Sequence, residues 1–388
     1  MKFLIRYTLI GLLLLSGYCA YSQNIYENYL PQNNCDTLGS DKLKIHFYNN
    51  NFIKNNEYFG PYTEGITYIG SIVQPEITWA LSSKFNLSAG WYFRQYYGYD
   101  GFEKSHPVIR ARYTISPGMQ VIFGQLDGQL QHGFIEPIYS TDNYFAKNPE
   151  YGVQFKIHRG RFRSDIYMDW EKFLLPGDAH QEIITGGFLV SYALNKNVEN
   201  KGLSAHFQSI IHHFGGQVDN SDAPLQSRAN MAAGLKYGFL ANHKWLTRLT
   251  LSSFYIQAHE LSQSNTLPFE SGYALHNTIT LENKWGKLST GWFHGEYFFA
   301  PMGDNLFQSV SQFNDWYVSD KRELITSKLL VAHQIMKGVN FGFRVESYYD
   351  TQRKSHDFSY GLNLSVNATL FEKTPKNRLK QDLFLREP

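Results

Sequence analysis

The chain has 388 residues, 16% of them aromatic with 27 Tyr and 29 Phe, and a formal net charge of only +2. That balance offers no electrostatic hold on nucleic acid, and 2 cysteines cannot build a disulfide framework. Past the N-terminus no stretch reaches the roughly 18 consecutive apolar residues that a membrane helix requires.

Residues 1–22 read as a secretory signal peptide. Lys2 and Arg6 give a basic start, residues 8–19 are apolar, and Ala20 and Ser22 stand three and one residues before a cut ahead of Gln23. The segment is too short and too clearly terminated to span a membrane. Cys19 is no lipid anchor, because bulky Tyr18 precedes it, and Cys35 is then the only cysteine of the exported chain. Residues 23–41 are expected to be a short N-terminal periplasmic segment and 372–388 a C-terminal periplasmic tail, with one domain, 42–371, between them.

That domain repeats a single pattern. "KFNLSAGWYFR" sets Phe85, Leu87, Ala89, Trp91 and Phe93 against Asn86, Ser88, Gly90, Tyr92 and Arg94. "YGVQFKIH" sets Tyr151, Val153, Phe155 and Ile157 against Gly152, Gln154, Lys156 and His158. "RGRFRSDIYMDWEKF" puts Arg161, Arg163, Asp165, Tyr167, Asp169 and Glu171 on one side, and Phe162, Ser164, Ile166, Met168 and Trp170 on the other. "VNFGFRVESYY" and "FSYGLNLSVNATLF" continue it, the last with Phe358, Tyr360, Leu362, Leu364, Val366, Ala368 and Leu370 on one face. Period-two alternation is the mark of strands with one apolar and one polar face. One such segment would suit the sheet of a soluble protein equally well.

The connections separate the two readings. Short turns at 81–84, 116–119, 158–161, 194–201, 240–244, 285–287 and 336–338 alternate with longer loops near 55–65, 97–106, 127–149, 173–181, 214–228, 258–270, 299–322 and 350–356. Together they join about sixteen strands of ten or more residues. Aromatic residues gather at two levels. Trp79, Tyr113, Tyr192, Phe239, Trp245, Trp285 and Phe371 lie near the short turns. Tyr96, Tyr97, Trp170, Phe173, Tyr255, Tyr273, Phe298, Phe299, Tyr348 and Tyr349 lie near the long loops. Even strand number, asymmetric connections and two aromatic girdles predict an all-β fold: a single antiparallel transmembrane barrel, apolar face to lipid and polar face to a lumen. Closure removes every strand edge, as lipid demands.

In architecture the sequence resembles general outer-membrane porins. The segments "NNEYFGPYTEGITYIGSIVQPEITW" (55–79) and "FGQLDGQLQHGFIEPIY" (123–139) resemble an uncharacterised outer-membrane barrel family of the Bacteroidota. The last strand, ending at Phe371, is similar to the terminal signal read by barrel-assembly machinery, although here a tail follows it. The porin resemblance implies that the third long loop folds inward and narrows the lumen, with Asp127, His132, Glu136 and Asp142 as constriction residues. Its apolar run Phe134, Ile135, Pro137, Ile138 and Tyr139 is poorly suited to water.

Sixteen strands leave an aqueous channel. The expected function is therefore passive diffusion of small hydrophilic solutes across the outer membrane of a Gram-negative cell. Predicted pore-lining bases are Arg110, Arg112, Lys156, Arg161, Arg163 and Arg344, and predicted acids are Asp165, Asp169, Glu171 and Glu346. Lys284 and Glu296 are also expected to face inward. A basic surplus favours anions, and Arg112 and Arg163 are expected to face Asp127 and Glu136 across the constriction. Expected partners are outer-membrane lipid, assembly machinery and solutes, with homo-oligomerisation open and no nucleic acid.

Two other functional classes are compatible with the sequence. Aromatic, Asn-containing loops such as 96–106 and 298–317 would suit a surface ligand-binding or adhesion barrel. A barrel enzyme ranks behind that. Ser204, His206, His212, His213, His294 and Glu296 lack a nucleophile-elbow or H-E-x-x-H context, and adjacent His212 and His213 point to opposite faces, so they cannot share a metal. No catalytic residue, metal or cofactor is assigned.

Overall fold

The computed structural model describes residues 42–373, except 196–200, 217, 244, 263–265, 312 and 315–316. The predicted signal peptide (1–22), the N-terminal segment (23–41) and the tail beyond Lys373 lie outside the described residues.

Sixteen strands follow one another: β1 Lys42–Glu57, β2 Thr67–Ala80, β3 Phe85–Tyr96, β4 Lys104–Ser116, β5 Met119–Gln125, β6 Tyr151–Arg159, β7 Phe162–Lys172, β8 Glu182–Ala193, β9 Gly202–Gly215, β10 Gln226–His243, β11 Leu246–Glu260, β12 Ser271–Glu282, β13 Gly286–Glu296, β14 Lys321–Met336, β15 Val339–Asp350 and β16 Ser355–Lys373. Each pairs antiparallel with its sequence neighbours, and β1 closes on β16. The alternation has the polarity of a membrane barrel. On β16 the polar Asp357, Ser359, Asn363 and Ser365 are buried, while Tyr360, Leu362 and Leu364 are exposed on the outer face. Short turns serve one end, and Gly118 (φ 74°) and Gly338 (φ 78°) supply the left-handed backbone that two of them need.

Eight loops serve the other end. Two of them, 126–150 and 297–320 (hereafter L3 and L7), turn into the barrel. L3 carries a short helix, α1 (Asn143–Ala146), and a 3₁₀ turn at Gln129–Gln131. Ile135, Ile138 and Tyr139 of L3 join Phe298, Phe299, Ala300, Met302, Leu306 and Phe307 of L7 in one apolar cluster. This cluster packs on the inward residues Ile210, Ala232, Phe254, Phe293 and Tyr348. Across the lumen, Tyr144 and Phe145 pack on Tyr48, Phe52, Ile72, Tyr92 and Val108.

The wall is uneven. β5 has 7 residues and β6 has 9, against 16 in β1 and 19 in β16. β4 meets β5 only from Arg110 onward, and β7 meets β6 only up to Asp169. Lys104–Ile109 and Trp170–Lys172 therefore face each other across a notch without ladder partners on that side. Pro107, which has no N–H to give a ladder, sits on this edge.

Several expectations need correction. Arg161 lies in the β6–β7 turn and Lys284 in the β12–β13 turn, not on inward strand positions. Glu296 has the outward parity of Trp292 and His294, because Phe293 and Gly295 are the buried set of β13. Phe298, Phe299 and Tyr348 are inside the lumen rather than in an interfacial belt. Phe298, Phe299 and Phe307 of L7 fill the core, while Tyr297 and Phe313 stay exposed.

Candidate functional site

The lumen side chains are held by alternation on the strands and by two loops that lock into each other. The Ser140 N–H donates to the Met302 carbonyl at 2.7 Å, Asn143 Nδ2 to the same carbonyl at 3.0 Å, and the Asp304 N–H to the Glu136 carbonyl at 3.3 Å. Asn230 of β10 donates to the Phe299 carbonyl at 2.7 Å, tying L7 to the wall.

L3 is pinned to opposite walls by charge. On the β6–β7 side the His132 imidazole lies between Glu150 (Nε2–Oε2 2.7 Å) and Asp165 (Nδ1–Oδ2 3.0 Å), and Gln154 donates to Asp165 at 2.8 Å. Burial alone would depress the His132 pKa, but the two carboxylates outweigh it and push the ring up to about 10. Asp127, at the start of L3, receives Arg112 (2.6 Å) and Lys156 (3.3 Å). On the β14–β16 and β1 side Glu136 pairs with Lys328, and Asp142 pairs with Lys54. Glu346, fully buried, accepts from Ser359 at 2.6 Å and sits among Lys54 (3.5 Å), Lys328 (3.9 Å) and Arg344. Buried charges persist only when paired in this way.

The predicted residues thus separate into groups. Arg110 hydrogen-bonds Gln125 and lies 3.6 Å from Glu76. Arg112, Lys156, Asp127, Asp165 and His132 gather on one wall. Arg344, Glu346, Glu136 and Asp142 gather on the other. Asp169 accepts the Tyr151 N–H at 2.8 Å, and Glu171 pairs with Lys147 at 3.1 Å. Arg163 is exposed near the periplasmic end, and Glu136 is bound on the far wall, so the expected Arg163–Glu136 opposition does not form. Sequence reasoning missed Lys54 and Glu150; it placed Lys328 on the inward face without its partner Glu136, and it read L7 as a surface loop rather than as part of the lumen filling. The run "YFFAPM" carried the same apolar signal that singled out L3.

Two cavities flank L3, the outer one on the β4–β8 side and the inner one on the β1–β5 side. The outer one, about 510 Å³, is lined by Lys104, His106, Tyr139, Lys147, Trp170 and Glu171 among others. The inner one, about 60 Å³, is lined by Tyr48, Gln74, Arg110, Gln125 and Asp127 among others. Gln129, Pro149 and Glu150 belong to both linings.

The hydroxyl–imidazole contacts are these. Ser204 Oγ meets His206 Nε2 at 2.8 Å on the inward face of β9. Thr185 Oγ1 meets His212 Nδ1 at 2.6 Å and donates to Glu171 at 2.5 Å. His213 turns to Ser227 instead, and His294 stacks on Trp292. Among the described residues no group of three or more His, Cys, Asp or Glu side chains is arranged to hold a metal ion.

The chain belongs to the lipid A 3'-O-deacylase-type family, whose sequence model matches residues 32–374. No curated protein matches it. Its fold is that of porin-like outer-membrane barrels. Pseudomonas aeruginosa OpdO superimposes with a TM-score of 0.53 at 11% identity, over 86% of this chain and 98% of that one. P. aeruginosa OccK2 (OpdF), solved in complex with glucuronate, gives 0.50 at 11% over 86% and 100%. A loop L8 deletion mutant of OmpT, an outer-membrane protein of Vibrio cholerae, gives 0.50 at 11% over 85% and 100%.

Proposed function

We propose that this protein is a constricted outer-membrane channel, exported through a cleaved signal peptide, that passes small hydrophilic solutes along the β1–β8 side of its lumen. One observation carries the reading. The outer and inner cavities share Gln129, Pro149 and Glu150 in their linings, so the two lie on either side of these L3 residues. Below them Lys156, about a third exposed, and Arg163 face water, which supports a weak preference for anions. The test is single-channel conductance of purified protein in a planar bilayer, after heat-modifiable gel mobility shows a folded barrel. Small, steady steps are expected, and a folded protein without conductance sinks the reading.

The family's name supports a second reading, hydrolysis of an acyl ester. Ser204–His206 is the contact that would serve it, but no carboxylate is hydrogen-bonded to His206 among the described residues. Thr185 is fully buried beneath Met302, out of reach of a substrate. Fatty-acid release that disappears in Ser204→Ala would promote this reading over the channel.

A further inference from the structure

We infer that Asp304 makes the joint between L3 and L7 a proton-controlled gate, closed while its carboxyl carries a proton and released as it ionises. This deepens the channel reading and rests on it for its consequence, conduction.

Asp304 stands where the two loops meet. Its N–H donates to the Glu136 carbonyl at 3.3 Å, and its carboxyl caps the 3₁₀ turn Asn305–Phe307 by accepting the Leu306 N–H at 3.0 Å. The preceding Gly303 lies so near the Pro137 carbonyl that a Cβ would come within 2.1 Å of it. L7 enters the lumen through Tyr297, whose φ of 51° is one that L side chains rarely adopt. Contacts inside the lumen, not the backbone's own preference, therefore hold the inward path of L7.

The charges around the joint do not balance. Glu136 and Asp142 of L3 face Asp304, and each already has its own cation, Lys328 of β14 and Lys54 of β1. Glu346 of β15 shares both lysines and takes Arg344 as well. Arg322 of β14 donates to the Leu306 carbonyl and pairs with Asp350. Tyr58 just past β1, Tyr68 of β2 and Tyr348 of β15 complete the surroundings and bring no charge. Asp304, 6% exposed, thus has two anionic neighbours and no ion-pair partner among the described residues. A buried charge so placed is costly, and uptake of a proton relieves it.

The sign of the effect follows. Burial, with Glu136 and Asp142 beside it, pushes the Asp304 carboxyl up to about 7, against ~3.9 for a carboxyl in water. The closed joint therefore binds the proton more tightly than the open one. Closure is favoured in full below ~3.9, loses ground as pH climbs towards about 7, and levels off above it. Ionised Asp304 repels two carboxylates that both belong to L3, so the loops part.

The test compares the folded wild type with Asp304→Asn at pH 4.5 and 6.5. The asparagine is neutral and keeps an acceptor for the Leu306 N–H, and His132, with its pKa near about 10, holds its proton throughout. Hydrogen exchange, corrected for its intrinsic pH dependence, reads the joint through the amides of residues 140 and 304. Between the two pH values they should lose at least ~10-fold protection in the wild type and almost none in Asp304→Asn. Single-channel steps in a planar bilayer should be small at pH 4.5 and larger or flickering at pH 6.5 in the wild type, and small at both in the variant. Equal protection at both pH values in the wild type, or the same loss in Asp304→Asn, would overturn the switch whatever the conductance. The expected exchange without conductance at either pH would support the switch in the joint and sink only the channel reading.

Discussion

His132 of L3 and Tyr167 of β7 stack face to face, with ring centroids 3.9 Å apart and planes 13° from parallel. The contact places the imidazole where Glu150 and Asp165 can grip both its nitrogens, so one residue fastens the loop to the wall.

Replacing that residue should loosen the loop. His132→Ala leaves two buried carboxylates facing each other without a cation, and conductance should rise or flicker in a barrel that still shows normal heat-modifiable mobility. The wild-type latch should also weaken in alkali. The folded-state pKa is raised to about 10 above the ordinary ~6.5. The stabilisation is therefore complete below ~6.5 and lost as pH rises through about 10. Conductance that is flat from pH 7 to 10.5 would count against the latch.

Glu346 holds the opposite wall. It is the shared anion for Lys54, Lys328 and Arg344, and Glu346→Ala would leave three cations close together in a packed interior. The expected loss of stability is ~3–5 kcal/mol, read as a lower unfolding midpoint in urea.

Substitutions on β15 and β16 should sort by face. Phe343→Arg and Leu364→Arg put a charge into lipid at a cost of ~2–4 kcal/mol near the midplane. The lumen side is not uniformly permissive, because Ser365 is fully buried and Asn363 is 4% exposed, leaving no room for arginine. Thr369, exposed near the periplasmic mouth, is the inward position that should accept Arg with little loss. If Thr369→Arg destabilises as much as Leu364→Arg, the assignment of faces is wrong.

Charge reversal below L3 should change ion preference. Arg112→Glu with Lys156→Glu turns both partners of Asp127 into anions, and the reversal potential in a salt gradient should swing toward cations. Arg163→Glu, nearer the wide mouth, should shift it less, since ~0.15 M salt screens charges beyond ~8 Å.

Deletion of 129–143 tests the obstruction. It removes half of the interlock, so L7 loses the Ser140 and Asn143 bonds to Met302. Conductance should increase markedly in the folded variant. An unchanged value would mean that L7 alone closes the lumen.

The strands were legible because a two-sided barrel wall writes a period of two into every segment, from Phe85 to Leu370. L3 was legible through its apolar Phe134–Tyr139 run. Arg161, Lys284 and Glu296 were misplaced because alternation fixes a side chain's face only inside the ladder, and each lies in a turn or at a strand end. Which carboxylate meets which base was not legible at all. Glu136 meets Lys328 only because L3 crosses the whole lumen, a path that no local pattern encodes. The notch was hidden for a related reason: it arises from pairing register, in β5 and β6 stopping short of their neighbours.

The seam between β1 and β16 sets the order of folding. Every other ladder joins strands adjacent in sequence, but here Lys42 meets Glu372, 330 positions away. β1 is made first and must wait, unpaired on one side, until the last strand emerges. Loop-closure entropy is greatest at this step, and such long-range pairing is intrinsically slow. Closure is therefore expected to be the final and rate-limiting event of biogenesis. Until it happens, the edge of β1, with its run Asn49, Asn50 and Asn51, is the open template on which a nascent barrel could mispair with another chain.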